Sequence, residues 1–213
     1  MRFNVTLIDS ESSIRNSILE AMKNQLNKAL NTTAASIKSD LAPIIKNSLE
    51  TEPEFNSLMS GQLRQEFGIQ NTSSVTNIID IMVNSIVVNI KPVKISNRGL
   101  SGGLEIQLIG PGYGGALLDS SAQVIDNERG YSLPWLEWLL LKGNQILIRQ
   151  YEVKIGPTPK SRSGDAIMIP SNQNWRVPPE FAGTERDNWV IRALNKVDNK
   201  ITNIIQSKFE SSL

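Results

Sequence analysis

The 213-residue chain has no cysteine and no histidine. Their absence excludes Ser-His-Asp and Cys-His nucleophilic pairs, thiolate chemistry, imidazole acid/base catalysis, structural zinc, and histidine-ligated iron or copper. No disulfide can staple the fold, so its stability must come from packing. There is no excess of one charge either: 22 lysines and arginines stand against 21 aspartates and glutamates. The formal net charge of +1 gives no global pull toward nucleic acid or an anionic membrane. The longest apolar regions, Ile78 to Ile90 and Leu133 to Leu141, carry Asp80, Asn84, Asn89 and Glu137 and fall short of the roughly 20 residues of a membrane span. Residues 1–9 lack the apolar stretch of a signal peptide, which predicts no export by that route. Carboxylate or lysine chemistry, or no chemistry, is what remains.

The residues present read as an α+β chain: long N-terminal helices, a small antiparallel β-sheet, and a closing C-terminal helix packed on the sheet. Ile14, Ile18, Met22, Leu26 and Leu30 begin a helical ladder that continues through Ile37, Leu41, Ile45 and Leu49, with Asp9 or Ser10 as its cap. Pro43 predicts a kink or restart, and Asn31-Thr32-Thr33 is the other expected break. Thr51-Glu52-Pro53-Glu54 reads as a capping box before a short helix that stops near Gly68. Val75 to Val83 forms another helix. Ile86 to Ile95 is a strand with an edge or bulge at Pro92, and Leu104, Ile106 and Leu108 alternate after a turn at Gly99 to Gly103. Arg149 is a misfit among Leu147, Tyr151, Val153 and Ile155. Ala166 to Ile169 and Trp175 to Val177 read as short strands around a polar turn, and Thr184-Glu185-Arg186-Asp187 caps a final helix through Ile205. The expected division is a helical region, residues 1–84, and an α+β core module, residues 85–213.

Candidate chemistry is weak. Gly110, Gly112 and Gly115 have dinucleotide spacing, yet Pro111 and the missing βαβ context favour a glycine-rich loop, so no cofactor is expected. Glu50, Glu52 and Glu54, and Asp119, Asp126 and Glu128, could offer oxygens to a hard cation but lack calcium-loop spacing; a helix start and a solvated loop explain them, and no metal is expected. Glu137 between Trp135 and Trp138 is the one carboxylate whose burial would suit a hydrolase, with no identifiable partner carboxylate. Lys142, Arg149, Lys154, Lys160 and Arg162 against Glu152 make a locally basic stretch, better suited to a protein partner or to solvent than to nucleic acid.

Three stretches, Leu133-Pro134-Trp135-Leu136-Glu137-Trp138-Leu139-Leu140, Ser161-Arg162-Ser163-Gly164-Asp165-Ala166-Ile167-Met168, and Trp175-Arg176-Val177-Pro178-Pro179-Glu180-Phe181-Ala182-Gly183-Thr184 through Asp187 to Leu194, resemble virion structural proteins of tailed bacteriophages. The order of long helix, small sheet and closing helix is also similar to the tail-completion, or minor tail protein Z, family. The resemblance implies a non-enzymatic virion protein at the head-tail junction. It would be assembled in the host cytoplasm into a homo-oligomeric ring contacting other neck, connector and tail proteins. Ring closure needs heterologous contacts, and the expected interface residues are Arg162, Trp175, Arg176, Phe181, Trp189 and Arg192, since tryptophan and arginine are typical anchors. Ordinary core packing is the competing reading for Trp175 and Trp189, and a solvated helix face for Arg192. The rival functions are a particle-associated carboxylate-dependent hydrolase and a nucleic-acid-binding assembly factor.

Overall fold

The computed structural model describes residues 9–126, 130–158, 161 and 164–213. Lys160, Arg162 and Glu128, singled out above, lie outside them. The fold is α+β. Helix α1 (Glu11–Glu50) leads to α2 (Pro53–Ser60), α3 (Gln62–Phe67) and α4 (Ser73–Asn84). The hairpin β1 (Val87–Ser96) and β2 (Gly99–Gln107) follows, then a one-turn helix α5 (Pro111–Gly114), the short pair β3 (Val124–Asp126) and β4 (Tyr131–Leu133), and α6 (Trp135–Leu141). A second long hairpin, β5 (Ile148–Ile155) and β6 (Ala166–Trp175), precedes the closing helix α7 (Trp189–Glu210). The strands form three separate antiparallel two-stranded sheets.

Two compact units emerge, and both are discontinuous, whereas the sequence suggested a division at residues 84 and 85. One comprises Met1–Asp40, Val87–Gln107 and Thr202–Leu213; the other comprises Leu41–Ile86 and Leu108–Ile201. In the first unit Ala29, Leu30, Thr33 and Ile37 of α1 are buried, while Ile18 and Met22 are about half exposed at 54% and 47%. In the second, Leu41, Ile45 and Leu49 are fully buried with Leu58, Phe67, Ile78, Met82, Trp135 and Trp189.

Helix α1 runs unbroken where two breaks were expected. Asn31 Nδ2 donates to Asn27 O and Thr32 Oγ1 to Lys28 O, so these side chains bond back into the preceding turn and leave the helix intact. Pro43 sits inside α1 on an exposed position, between turns held by buried Leu41 and Ile45. Ser10 is the cap, its Oγ accepting from Ser13 N at 3.2 Å. The closing helix packs on α1 rather than on a sheet, because two-stranded sheets offer little area. In the second unit Ser48 Oγ donates to Ala193 O at 2.7 Å, and in the first Lys208 Nζ pairs with Asp40 at 2.7 Å.

Bulges explain the strand irregularities. The β1–β2 register shifts between Lys91 and Lys94, at Pro92 as expected, and Gly102 is required there because a Cβ would lie 2.6 Å from Val93 Cα. The tip of this hairpin is Asn97-Arg98, two residues before the expected turn. In β5, Gln150 adopts φ 60 and the register breaks between Arg149 and Tyr151; Arg149 is exposed, and so are Tyr151 and Ile155 with which it was grouped, so it is no misfit. The extra residues are on β6, which continues through Ser171, Asn172 and Gln173 opposite Gln150, so the two short strands and their turn are one bulged strand.

Candidate functional site

Neither expected capping box caps its helix. Glu52 precedes α2 without a side-chain cap, and Thr51 Oγ1 donates to Ser48 O instead. Glu52 and Glu54 are buried at 2% exposure and meet basic residues of α7. Lys196 Nζ lies 2.7 and 2.8 Å from the two Glu52 oxygens. Arg192 bridges Glu54 and Asp187, the latter at 2.7 Å. Burial works against the Arg192 charge, but the hydrogen bonds it donates to Glu54 and Asp187 more than offset it and hold the guanidinium above its ordinary range. Arg192 therefore serves ion pairs within this chain rather than a bare helix face. Asn188, not Thr184, caps α7: its Oδ1 accepts from Val190 N and Ile191 N at 3.1 and 3.2 Å.

The other expected interface residues divide between core and surface. Trp189 is fully buried and its Nε1–H donates to Leu49 O at 2.9 Å. Trp175 is 6% exposed, edge-on to Phe67 at a centroid separation of 6.0 Å and tilted on Trp138 at 5.6 Å. Both indoles are thus core groups with little or no surface for a neighbour. Phe181 is half-buried in the turn where its N–H donates to Pro178 O, and Arg176 is exposed.

Trp175 and Arg176 border a groove of about 350 Å³ formed by Gln62 and Glu66 of α3, Tyr151 to Val153 of β5, the end of β6, and the Pro178-Pro179-Glu180 turn. Three carboxylates, Glu66, Glu152 and Glu180, and one guanidinium, Arg176, line it. Glu66 is the most constrained. Trp175 Nε1–H donates to its Oε2 at 2.9 Å, and Gln62 Nε2 to its Oε1 at 2.6 Å. Burial raises the Glu66 carboxyl above the usual glutamate range; the two donated hydrogen bonds pull it down and the nearby Glu180 charge pushes it up. An acidic residue in the last turn of a helix opposes the macrodipole, and that was the signal in the sequence for Glu66.

The remaining candidates are not drawn together. Glu137 is half-buried and pairs with Lys142 at 2.7 Å, so it is not the desolvated acid a hydrolase would need. Arg149 and Lys154 are exposed on β5. Asp119 accepts from Ser121 N at 2.8 Å, closing a turn. Among the described residues, no cluster of three ligating side chains could hold a metal ion, and no helix is long and apolar enough to cross a membrane. Gly110 to Gly115 holds the one-turn helix α5, with Gly112 and Tyr113 both left-handed. Gly114 is obligatory, since a Cβ would lie 2.4 Å from the Ser85 side chain. Tyr113 Oη accepts from Asn188 Nδ2 at 2.8 Å, tying α5 to the α7 cap.

In comparisons with protein-family models, curated proteins and solved structures, none matches this chain.

Proposed function

We propose that this chain is a non-enzymatic structural subunit of a tailed-bacteriophage particle, placed at the head-tail junction and forming a ring that joins connector and tail. The motif resemblance between Leu133 and Leu194 motivates the assignment. The observation that carries it is the first turns of α1: their apolar ladder continues through Ile18 and Met22, about half exposed, beyond the part of the helix that the chain itself buries. A subunit whose neighbours complete its packing presents such a stripe. The groove beside Trp175, with its surplus of carboxylates, suits a basic segment of an adjoining protein.

Quantitative mass spectrometry of particles purified from the source, counting this chain against the portal protein, tests the reading. A small fixed stoichiometry of the order of one ring per particle is expected. Absence of the chain from particles would discard it.

A carboxylate-dependent hydrolase is the second reading, and the observation favouring it lies at Glu66 rather than Glu137: a carboxyl of raised pKa beside Glu180 in an open groove. Wall-glycan clearance that disappears in Glu66→Gln would support it; no clearance by the unaltered chain would remove it.

A further inference from the structure

The free edges of the strands are not alike. On β1, Asn27 of α1 clasps Val93, its Oδ1 accepting from the Val93 N–H at 2.8 Å and its Nδ2 facing the Val93 carbonyl at 3.4 Å. Pro92, Lys91 and Lys94 protect the same strand further. On β6, Ser161 holds both the N–H and the carbonyl of Ala166, and Pro170 interrupts the edge. On β5 the left-handed backbone at Gln150 and the charges of Arg149, Glu152 and Lys154 do the same work. Strands β3 and β4 are three residues each.

β2 alone has none of these devices. Its nine residues, Gly-Leu-Ser-Gly-Gly-Leu-Glu-Ile-Gln, contain no proline and no lysine. Their single charge, Glu105, is paired within the hairpin with Lys91 at 2.9 Å. Among the described residues β2 pairs only with β1, and none of its residues is buried. A two-stranded sheet is marginal in water, and an unprotected edge of this length is a template for another strand.

We infer that β2 pairs antiparallel with β2 of a second copy of this chain, making a four-stranded sheet across a two-fold axis near Gly103. The strand is self-complementary about that midpoint. Maximum overlap sets Glu105 opposite Ser101 of the other copy, so no carboxylate meets another, and Gly103 faces its own copy across the axis with no side-chain pair to clash on either face of the sheet. The contact is isologous, so it stands or falls separately from the ring-closing contacts of the proposed neck subunit.

The absence of cysteine makes the test clean. The double variant Ser101→Cys/Glu105→Cys is oxidised and run on a non-reducing gel, with Lys94→Cys on β1 as control. Residues four apart on one strand cannot bond to each other, so a covalent dimer reports pairing between copies. Ser101→Glu supplies the second arm. Within the hairpin it faces Lys94 favourably, while across the axis it sets carboxylate against carboxylate. The expected result is a dimer specific to the β2 pair, with the dimer dissociation constant of Ser101→Glu raised about tenfold or more in light scattering and the melting temperature unchanged at dilutions where both proteins are monomeric. A monomer at all concentrations, a dimer that β2 cysteines do not trap, or equal trapping at Lys94 would overturn the inference.

Discussion

Glu54 is 2% exposed and its Oε2 has no hydrogen-bond partner among the described residues, so its charge depends on Arg192. Arg192→Met strands that carboxylate. The expected loss is about 2 to 3 kcal/mol by urea denaturation, below the roughly 3 to 5 of a fully buried pair because the arginine side chain is about a third exposed. Adding Glu54→Gln to Arg192→Met should recover part of that loss, since the buried charge goes with its partner. Glu66 carries the opposite kind of cost. Its folded pKa is raised, so between the ordinary glutamate range and the folded value the native state holds a proton that the unfolded chain has released. Stability attributable to this group is therefore present at acid pH and lost as pH rises through that window. Glu66→Gln should flatten this segment of the stability profile in melts stepped across mildly acid pH. A profile that keeps its slope in the variant would assign the titration elsewhere.

The helices and strands show how far local pattern reaches. Periodicity alone located α4 and α7, because each buries one face with a regular repeat, and the second half of β2, where half-buried Leu104 and Ile106 alternate with exposed Glu105 and Gln107; Gly99 to Gly103, expected as the turn, belong to the strand. It failed at β6, where Pro170 to Asn174 reads as a polar turn; the strand persists as a bulge of Ser171 to Gln173 opposite Gln150, whose N–H donates to Asn174 Oδ1 at 3.1 Å. The two capping boxes were misread for different reasons: Thr184 does accept from Asp187 N at 3.2 Å, but in the turn before α7, whereas the first box is taken up by long-range ion pairs. Glu52 and Glu54 have the local signature of a helix start, while their partners lie 144 and 138 residues away in sequence, a separation no short motif encodes. The groove was hidden likewise, since α3, β5 and the end of β6 build it together. Pro43 gives a prediction at this scale. It removes one backbone donor from the middle of α1 at an exposed position, so Pro43→Ala should stabilise the chain by about 1 kcal/mol or more in thermal melts.

For the molecule as a whole, the missing residue types set its response to conditions. With no histidine and no cysteine, no side chain of ordinary pKa titrates from about pH 7 to 8 and no thiol responds to reductant. Thermal stability and oligomeric state should be constant across that range and unaltered by dithiothreitol. A sharp change in either would mean that a lysine or carboxylate has been displaced far from its usual range on assembly. The charge balance works alongside this: a chain near neutrality has little long-range self-repulsion to keep copies apart, so contacts such as an open β2 edge decide association.

The bond from the Trp175 indole to Glu66 also gives the groove an optical readout. Of the four tryptophans, Trp135 and Trp189 donate to backbone carbonyls, whereas Trp175 donates to a carboxyl that titrates. Its emission should follow the protonation of Glu66, and it should follow just as directly anything that displaces or neutralises that carboxyl. A neighbour docking at the groove can then be detected by intrinsic fluorescence in the unmodified chain, without a label.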